Sequence, residues 1–170
     1  MLFKDENYQI KSNSIGFYQD LDHLDGIGLS AVSANLYENK KRDDLVLFYF
    51  RKGASFASVY TQSNIKSENI KWNLNNSREK IFALLVNTRN ANAFTGKDGY
   101  KSISTIASLL VEQLNKKQSV DDEDPKKIKI RNLLFASTGT IGEKFPENKI
   151  ISSIPNLINN IKYVQNKYIW

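Results

Sequence analysis

Apolar residues along the chain fall into short runs separated by polar stretches. Residues 45–50, Leu-Val-Leu-Phe-Tyr-Phe, are almost wholly apolar and predict a strand covered on both faces. Past Gly53, residues 54–61 (Ala-Ser-Phe-Ala-Ser-Val-Tyr-Thr) alternate in character and predict a further, half-exposed strand. Residues 28–36 are rich in small side chains and partly alternating, again strand-like, with a polar turn at 37–44. Residues 81–86 and 132–136 are short buried-strand candidates. Helical spacing appears twice. After the turn-like Thr95-Gly96-Lys97-Asp98-Gly99, the stripe Ile103, Ile106, Ala107, Leu110, Leu114 recurs near 3.6 residues and stops in Lys116-Lys117-Gln118. Residues 121–125, Asp-Asp-Glu-Asp-Pro, follow as a charged surface loop. A second stripe, Ile150, Ile151, Ile154, Leu157, Ile158, Ile161, starts after Pro146 at a first helical position, with Pro155 expected to split it. Strand, loop, helix, loop, strand, loop, helix between 81 and 162 is an α/β order. The first dozen residues carry no period. No repeat or linker divides the chain, so residues 1–170 read as a single domain, with 1–15 loosely attached.

Composition narrows the function classes. Of the 170 residues, 41% are hydrophobic and 25% charged, ordinary for a globular domain, and the mean hydropathy of -0.46 argues against a membrane span. Residues 1–7 (Met-Leu-Phe-Lys-Asp-Glu-Asn) hold no apolar leader, so the expectation is a soluble, cytoplasmic-type protein with no membrane partner. The absence of cysteine excludes thiol chemistry and disulfides. The single histidine, His23, excludes a multi-histidine metal centre, and no metal is expected. A serine triad would have to be built on His23 alone. The net charge of +6 and pI near 9.4 raise nucleic-acid binding. However, only Arg42, Arg51, Arg78, Arg89 and Arg131 carry a guanidinium, and the lysines are scattered. A solvated basic surface with no nucleic-acid partner is the better reading. The pairs Asp43-Asp44 and Asp121-Asp122 read as solvated surface. Trp72 and Trp170 read as packing residues.

Two loops occupy the position where α/β sheets bind ligands, directly after a buried strand and before a helix. The first is Asn87-Thr88-Arg89-Asn90-Ala91-Asn92-Ala93-Phe94-Thr95-Gly96, whose asparagines can hold an irregular loop through backbone hydrogen bonds. The second is Ala136-Ser137-Thr138-Gly139-Thr140-Ile141-Gly142-Glu143, whose small residues leave backbone N–H groups open to an anion or oxyanion. Ordinary turn and helix-cap chemistry gives similar compositions. Neither loop is a phosphate-binding or dinucleotide fingerprint.

Specific strings go further. Residues 85–96 resemble the V-N-S-G-N-A-N-A-x-T-G segment of the ornithine/glutamate N-acetyltransferases of arginine biosynthesis, with Thr88 and Arg89 in place of Ser-Gly. Residues 136–146 are similar to that family's A-S-T-G-V-I-G-x-x-L-P. Residues 59–66 are similar to its V-F-T-x-N-x-V-K, with Ser63 in place of asparagine. The resemblance implies an α/β fold with a mixed sheet and helices, the N-terminal part of the self-cleaving N-terminal-nucleophile acetyltransferase fold. It implies a threonine nucleophile, released by autocatalytic cleavage, that moves an acetyl group from N-acetylornithine to glutamate. Some members are bifunctional and also accept acetyl-coenzyme A, which enters as a substrate; no cofactor is implied. Thr138 and Gly139 would be the oxyanion donors, and Asn87, Asn90, Asn92, Thr95 and Gly96 the accompanying active-site loop.

No K-G-A-T-M-L-like cleavage segment and no T-T-D segment occurs in these 170 residues. The resemblance therefore implies an N-terminal portion of the α chain, inactive alone and partnered by the C-terminal β chain of the same precursor in an α2β2 heterotetramer. The apolar runs at 45–50 and 150–161 are then expected to be covered partly by that partner. Two alternatives stay open at this point: an aminopeptidase-like relative of the same fold, and a non-catalytic anion-binding α/β module built on residues 138–142.

Overall fold

The computed structural model describes residues 26–163; the lead-in, His23 and Trp170 lie outside the described residues. Four strands, β1 (Ile27–Val32), β2 (Leu45–Ala54), β3 (Ile81–Asn87) and β4 (Leu133–Ser137), form one sheet in the order β1-β2-β3-β4. The first two pairings are antiparallel and β3–β4 is parallel, so the sheet is mixed, as expected. Helices α1 (Glu68–Asn76), α2 (Gly96–Asp121) and α3 (Glu147–Asn159) accompany it, with a short 3-10 turn at Ile130–Asn132. The parallel pair is joined through α2, as a crossover requires.

One face of the sheet carries the core. Leu45, Leu47 and Tyr49 of β2, Ala83 and Leu85 of β3, and Leu133 and Phe135 of β4 are buried in one cluster with the stripes of α2 and α3. This corrects the expectation for 150–161 and for the inward side of 45–50. The inward residues of β2 and the α3 stripe Ile150, Ile154, Leu157 and Ile158 are covered by this chain itself. Side chains alternate along a strand, so Val46, Phe48 and Phe50 point to the opposite face, together with their neighbours Leu84, Val86 and Leu134. Those residues of the second face are apolar and only half-buried.

Several boundaries differ from those read from pattern. Residues 55–67 make no strand; β2 ends at Ala54, and alternation alone does not form a strand where no neighbour supplies a ladder. Val59 is 99% exposed. Helix α2 starts at Gly96 and runs through Lys116–Gln118 to Asp121. Its last turns are held from outside the stripe: the buried Gln118 amide donates to the Arg51 carbonyl at 2.9 Å, Lys117 pairs with Asp121, and Arg51 pairs with Asp122. Helix α3 is unbroken. Pro155 lies inside it on the exposed side, while the opposite side is anchored in the core. Pro146 is the residue before the helix rather than its first member. Asp44 is not solvated: it is 1% exposed, and its carboxylate accepts from the backbone N–H groups of Ala34 and Leu36 at 2.6 and 2.8 Å.

Pattern reading missed α1 altogether, because its buried side is Glu68, Asn69, Trp72 and Asn73 rather than an aliphatic stripe. Its role explains its polarity. Strand β4 is at the sheet's edge, and α1 covers it with side chains spaced four apart. Asn69 donates to the Ser137 hydroxyl. Asn73 donates to the Phe135 carbonyl at 2.9 Å and accepts from the Phe135 N–H at 3.0 Å, and the Ser77 hydroxyl donates to the Leu133 carbonyl at 2.6 Å. Four residues of helix rise about 6 Å and two of strand about 6.6 Å, so helix positions 69, 73 and 77 step in register with strand positions 137, 135 and 133. Trp72 meets Phe135 edge-on, with ring centroids 4.8 Å apart, as the packing role expected of it requires.

Candidate active site

Because β3 and β4 are parallel neighbours, the two loops flagged in the sequence leave the same sheet edge and meet there. The ladder ends at Asn87↔Ser137, and the pairing resumes as a bridge between Asn90 and Thr140. Backbone bonds stitch the loops together: Thr138 N–H to Asn87 O at 3.1 Å, Thr140 N–H to Arg89 O at 2.9 Å, Ala91 N–H to Thr140 O at 3.0 Å, and Gly142 N–H to Ala93 O at 2.9 Å. At the crossing, a β-carbon on Gly139 would lie 2.1 Å from the Arg89 carbonyl carbon, and Gly139 has φ +135. Only glycine allows that approach.

The asparagines of the first loop form a closed circuit. The Thr95 hydroxyl donates to Asn92 Oδ1 at 2.7 Å, and Asn92 Nδ2 donates to Asn69 Oδ1 at 2.8 Å. Asn69 donates to the Ser137 hydroxyl, which donates to Asn87 Oδ1. Asn87 Nδ2 donates to the Asn90 carbonyl at 2.9 Å, and Asn90 Oδ1 accepts from the Asn92 N–H at 2.8 Å. Asn90 Nδ2 also reaches the carbonyls of Glu143 and Lys144, at 3.2 Å each. Asn87, Asn90 and Asn92 are 3%, 3% and 0% exposed. A buried amide left unpaired costs about 1–3 kcal/mol, so a satisfied circuit of this kind specifies one loop shape. These three residues and Thr95 therefore act as scaffold, bonding to protein. Gly96 opens α2 at φ +61.

Against this rigid base the second loop is open. Thr138, Gly139 and Thr140 are exposed. The Thr138 hydroxyl and the Gly139 N–H make no hydrogen bond among the described residues, while the backbone N–H groups on either side of Gly139 are held. Two adjacent unpaired donors on a pinned loop are the arrangement that receives a developing oxyanion.

Sequence reasoning identified both loops but missed Asn69 and the roles of Ser137 and Glu143. Asn69 comes from the unrecognised helix, and the polar spacing Asn69, Asn73, Ser77 was its only signal. Ser137 lies in the second loop's string, where its residue type alone assigns it no role. Glu143 meets Arg89: the guanidinium bonds Thr140 Oγ1 at 2.6 Å and the Glu143 carboxylate at 2.8 and 3.4 Å. Arg89 sits at φ +75, a left-handed conformation that costs a non-glycine residue about 1–2 kcal/mol.

A mixed four-stranded sheet whose parallel edge carries two interlocked loops is an α/β arrangement, and comparison with known proteins gives its class, the N-terminal-nucleophile acetyltransferase-type fold. The ArgJ family model matches residues 29–169, and the chain belongs to that family. It is similar to the arginine biosynthesis bifunctional protein ArgJ of Bartonella henselae, 31% identical over 85% of this chain and 32% of the relative. It is likewise similar to that of Gluconobacter oxydans, 35% identical over 80% of this chain and 29% of the relative. The chain thus spans about a third or less of the length of these curated relatives. Among solved structures it resembles the ArgJ protein of Bacillus halodurans, with a TM-score of 0.69 and 25% identity, covering 82% of this chain and 66% of that one. The ornithine acetyltransferase of Mycobacterium tuberculosis, solved with ornithine, shares the fold, with a TM-score of 0.71 at 20% identity over 82% of this chain and 69% of that one. No helix of the described residues is long and apolar enough to cross a membrane.

Proposed function

We propose that this chain is a single-domain N-terminal portion of a cytoplasmic glutamate N-acetyltransferase of arginine biosynthesis, and that it supplies the oxyanion hole. In this reading a threonine outside these 170 residues, freed by autocatalytic cleavage, attacks the acetyl carbonyl of N-acetylornithine. The carbonyl electron pair moves onto oxygen, and the Thr138 hydroxyl and Gly139 N–H donate to that oxyanion. The threonine's hydroxyl proton passes through its own α-amino group to the leaving nitrogen, so collapse expels ornithine as an amine and leaves an acetyl-threonine. The glutamate amine then attacks it, returns a proton to the threonine oxygen by the same route, and carries the acetyl group away. Splitting the transfer in two lowers each barrier, and each oxyanion donor contributes about 3–4 kcal/mol to the transition state. Acetyl-coenzyme A serves as an alternative donor substrate, and no cofactor takes part. The partner is the C-terminal β chain of the same precursor in an α2β2 assembly. The half-buried apolar face of Val46, Phe50, Leu84, Val86 and Leu134 supports a second layer in contact with this one.

The observation that carries the reading is the Thr138 hydroxyl beside the Gly139 N–H, neither bonded among the described residues, on a loop pinned through the N–H groups of Thr138, Thr140 and Gly142. The test is acetyl transfer from N-acetylornithine to glutamate by the 170-residue chain alone and by the chain combined with the family's C-terminal portion. The chain alone is expected to be inactive and the combination active. Activity of the chain alone, or none in the combination, overturns the assignment.

A further inference from the structure

We infer that Arg89 is a positioning residue: with Glu143 and Thr140 it forms a bracket that holds the oxyanion loop in place. This rests on the acetyl-transfer reading of the site. Residue 89 adopts φ +75, where glycine is unstrained, and the family segment that this loop resembles carries glycine there. An arginine in that conformation persists only if its surroundings over-determine it. They do so from both ends of the residue. Its carbonyl accepts from the Thr140 N–H at 2.9 Å and lies under Gly139. Its guanidinium bonds the Thr140 hydroxyl at 2.6 Å and forks onto the Glu143 carboxylate at 2.8 and 3.4 Å. Glu143 is a fixed anchor, because the buried Asn90 amide bonds the carbonyls of Glu143 and Lys144. One residue of the first loop thus grips the second loop on both sides of Ile141, immediately after the two donors.

The Arg89 and Glu143 side chains are 37% and 48% exposed. An ion pair this open contributes little to global stability. Its effect is therefore local, on where the Thr138 and Gly139 donors stand, and small misplacements of donors act on the transition state far more than on folding.

The test uses Arg89→Gly, Arg89→Lys and Glu143→Gln in the full-length protein, with kcat, KM, Tm and the hydrogen exchange of the Gly139 and Thr140 amides as readouts. Arg89→Gly relieves the backbone strain, so Tm is expected to hold or rise. Meanwhile kcat falls about tenfold at unchanged KM, and the two amides exchange about tenfold faster. Arg89→Lys keeps the charge but loses the fork, and is expected to restore neither rate nor protection. Glu143→Gln lowers kcat similarly, and the Arg89→Gly, Glu143→Gln double variant loses no more than either alone. A kcat that follows Tm, or unchanged kcat and unchanged exchange in Arg89→Gly, overturns the bracket. If the unmodified protein transfers no acetyl group, the acetyl-transfer reading fails by itself, and the exchange rates alone decide whether the bracket holds the loop.

Discussion

The backbone of Gly139 crosses that of Arg89 so closely that a β-carbon on Gly139 would lie 2.1 Å from the Arg89 carbonyl carbon and 2.3 Å from its oxygen. Neither partner can yield, because both belong to loops tied by four backbone bonds. Gly139→Ala is therefore expected to destabilise the chain by about 2–4 kcal/mol, through overpacking and a positive φ together. Gly142 provides the control: its φ is +81, but nothing lies within 4 Å of the added carbon, so Gly142→Ala should cost only about 1–2 kcal/mol. Urea midpoints of the two variants measure the difference, and equal shifts would show that the crossing is not rigid.

On the proposed reading, Thr138 and Thr140 separate catalysis from scaffold. Among the described residues the Thr138 hydroxyl makes no hydrogen bond, whereas the Thr140 hydroxyl accepts from Arg89. In the full-length protein, Thr138→Ala is expected to lower kcat by about 10²–10³-fold with little change in KM, because the donor acts on charge that develops only in the transition state. Thr140→Ala should lower kcat by about tenfold at most. Steady-state kinetics on both variants decide the point, and equal losses would assign Thr138 to turn chemistry.

Asn73 closes the edge of the sheet. Asn73→Ala leaves both the N–H and the carbonyl of Phe135 without their partner in a buried setting, a loss of about 2–4 kcal/mol. Asn75, two residues on and exposed, should tolerate alanine within about 0.5 kcal/mol. Denaturant unfolding of the two variants tests whether the amide ladder, rather than α1 propensity, protects β4.

Tyr49 sets an alkaline limit. Burial pushes its hydroxyl up to about 12 from an ordinary 10.0, with the Gln118 amide opposing the shift. A phenol that holds its proton more tightly when folded contributes stability that is complete below pH 10. Above that the unfolded chain ionises first, and the contribution is lost as pH rises toward 12. Two pH units correspond to on the order of 2–3 kcal/mol. Tm should fall over this window, and Tyr49→Phe should flatten the fall. Burial also raises Tyr163, which leaves a residual slope in the variant.

Much of this protein is written locally. The apolar run at 45–50, the stripe from Ile103 to Leu114 and the stripe from Ile150 to Ile158 each carry their period within a few residues, and each became the expected element. The two loops were legible too, because small and amide residues between a strand and a helix have few other uses, and because their strings are unusual enough to identify a family. What the sequence could not express was anything decided by a partner far along the chain. Residues 54–61 alternate like a strand, yet after Ala54 they form none because no neighbour supplies a ladder. Glu68–Asn76 lacks an apolar stripe, yet it is a helix because its amides match the spacing of an edge strand more than sixty residues away. Pro155 should break a helix, yet α3 passes through it because the opposite side is locked in the core. Arg89 in place of glycine reads as a defect until Glu143, 54 residues on, is brought against it. Local periodicity determines which segments can bury a face, whereas hydrogen-bond partners and close backbone approaches exist only once distant segments are packed together, and those contacts built the site.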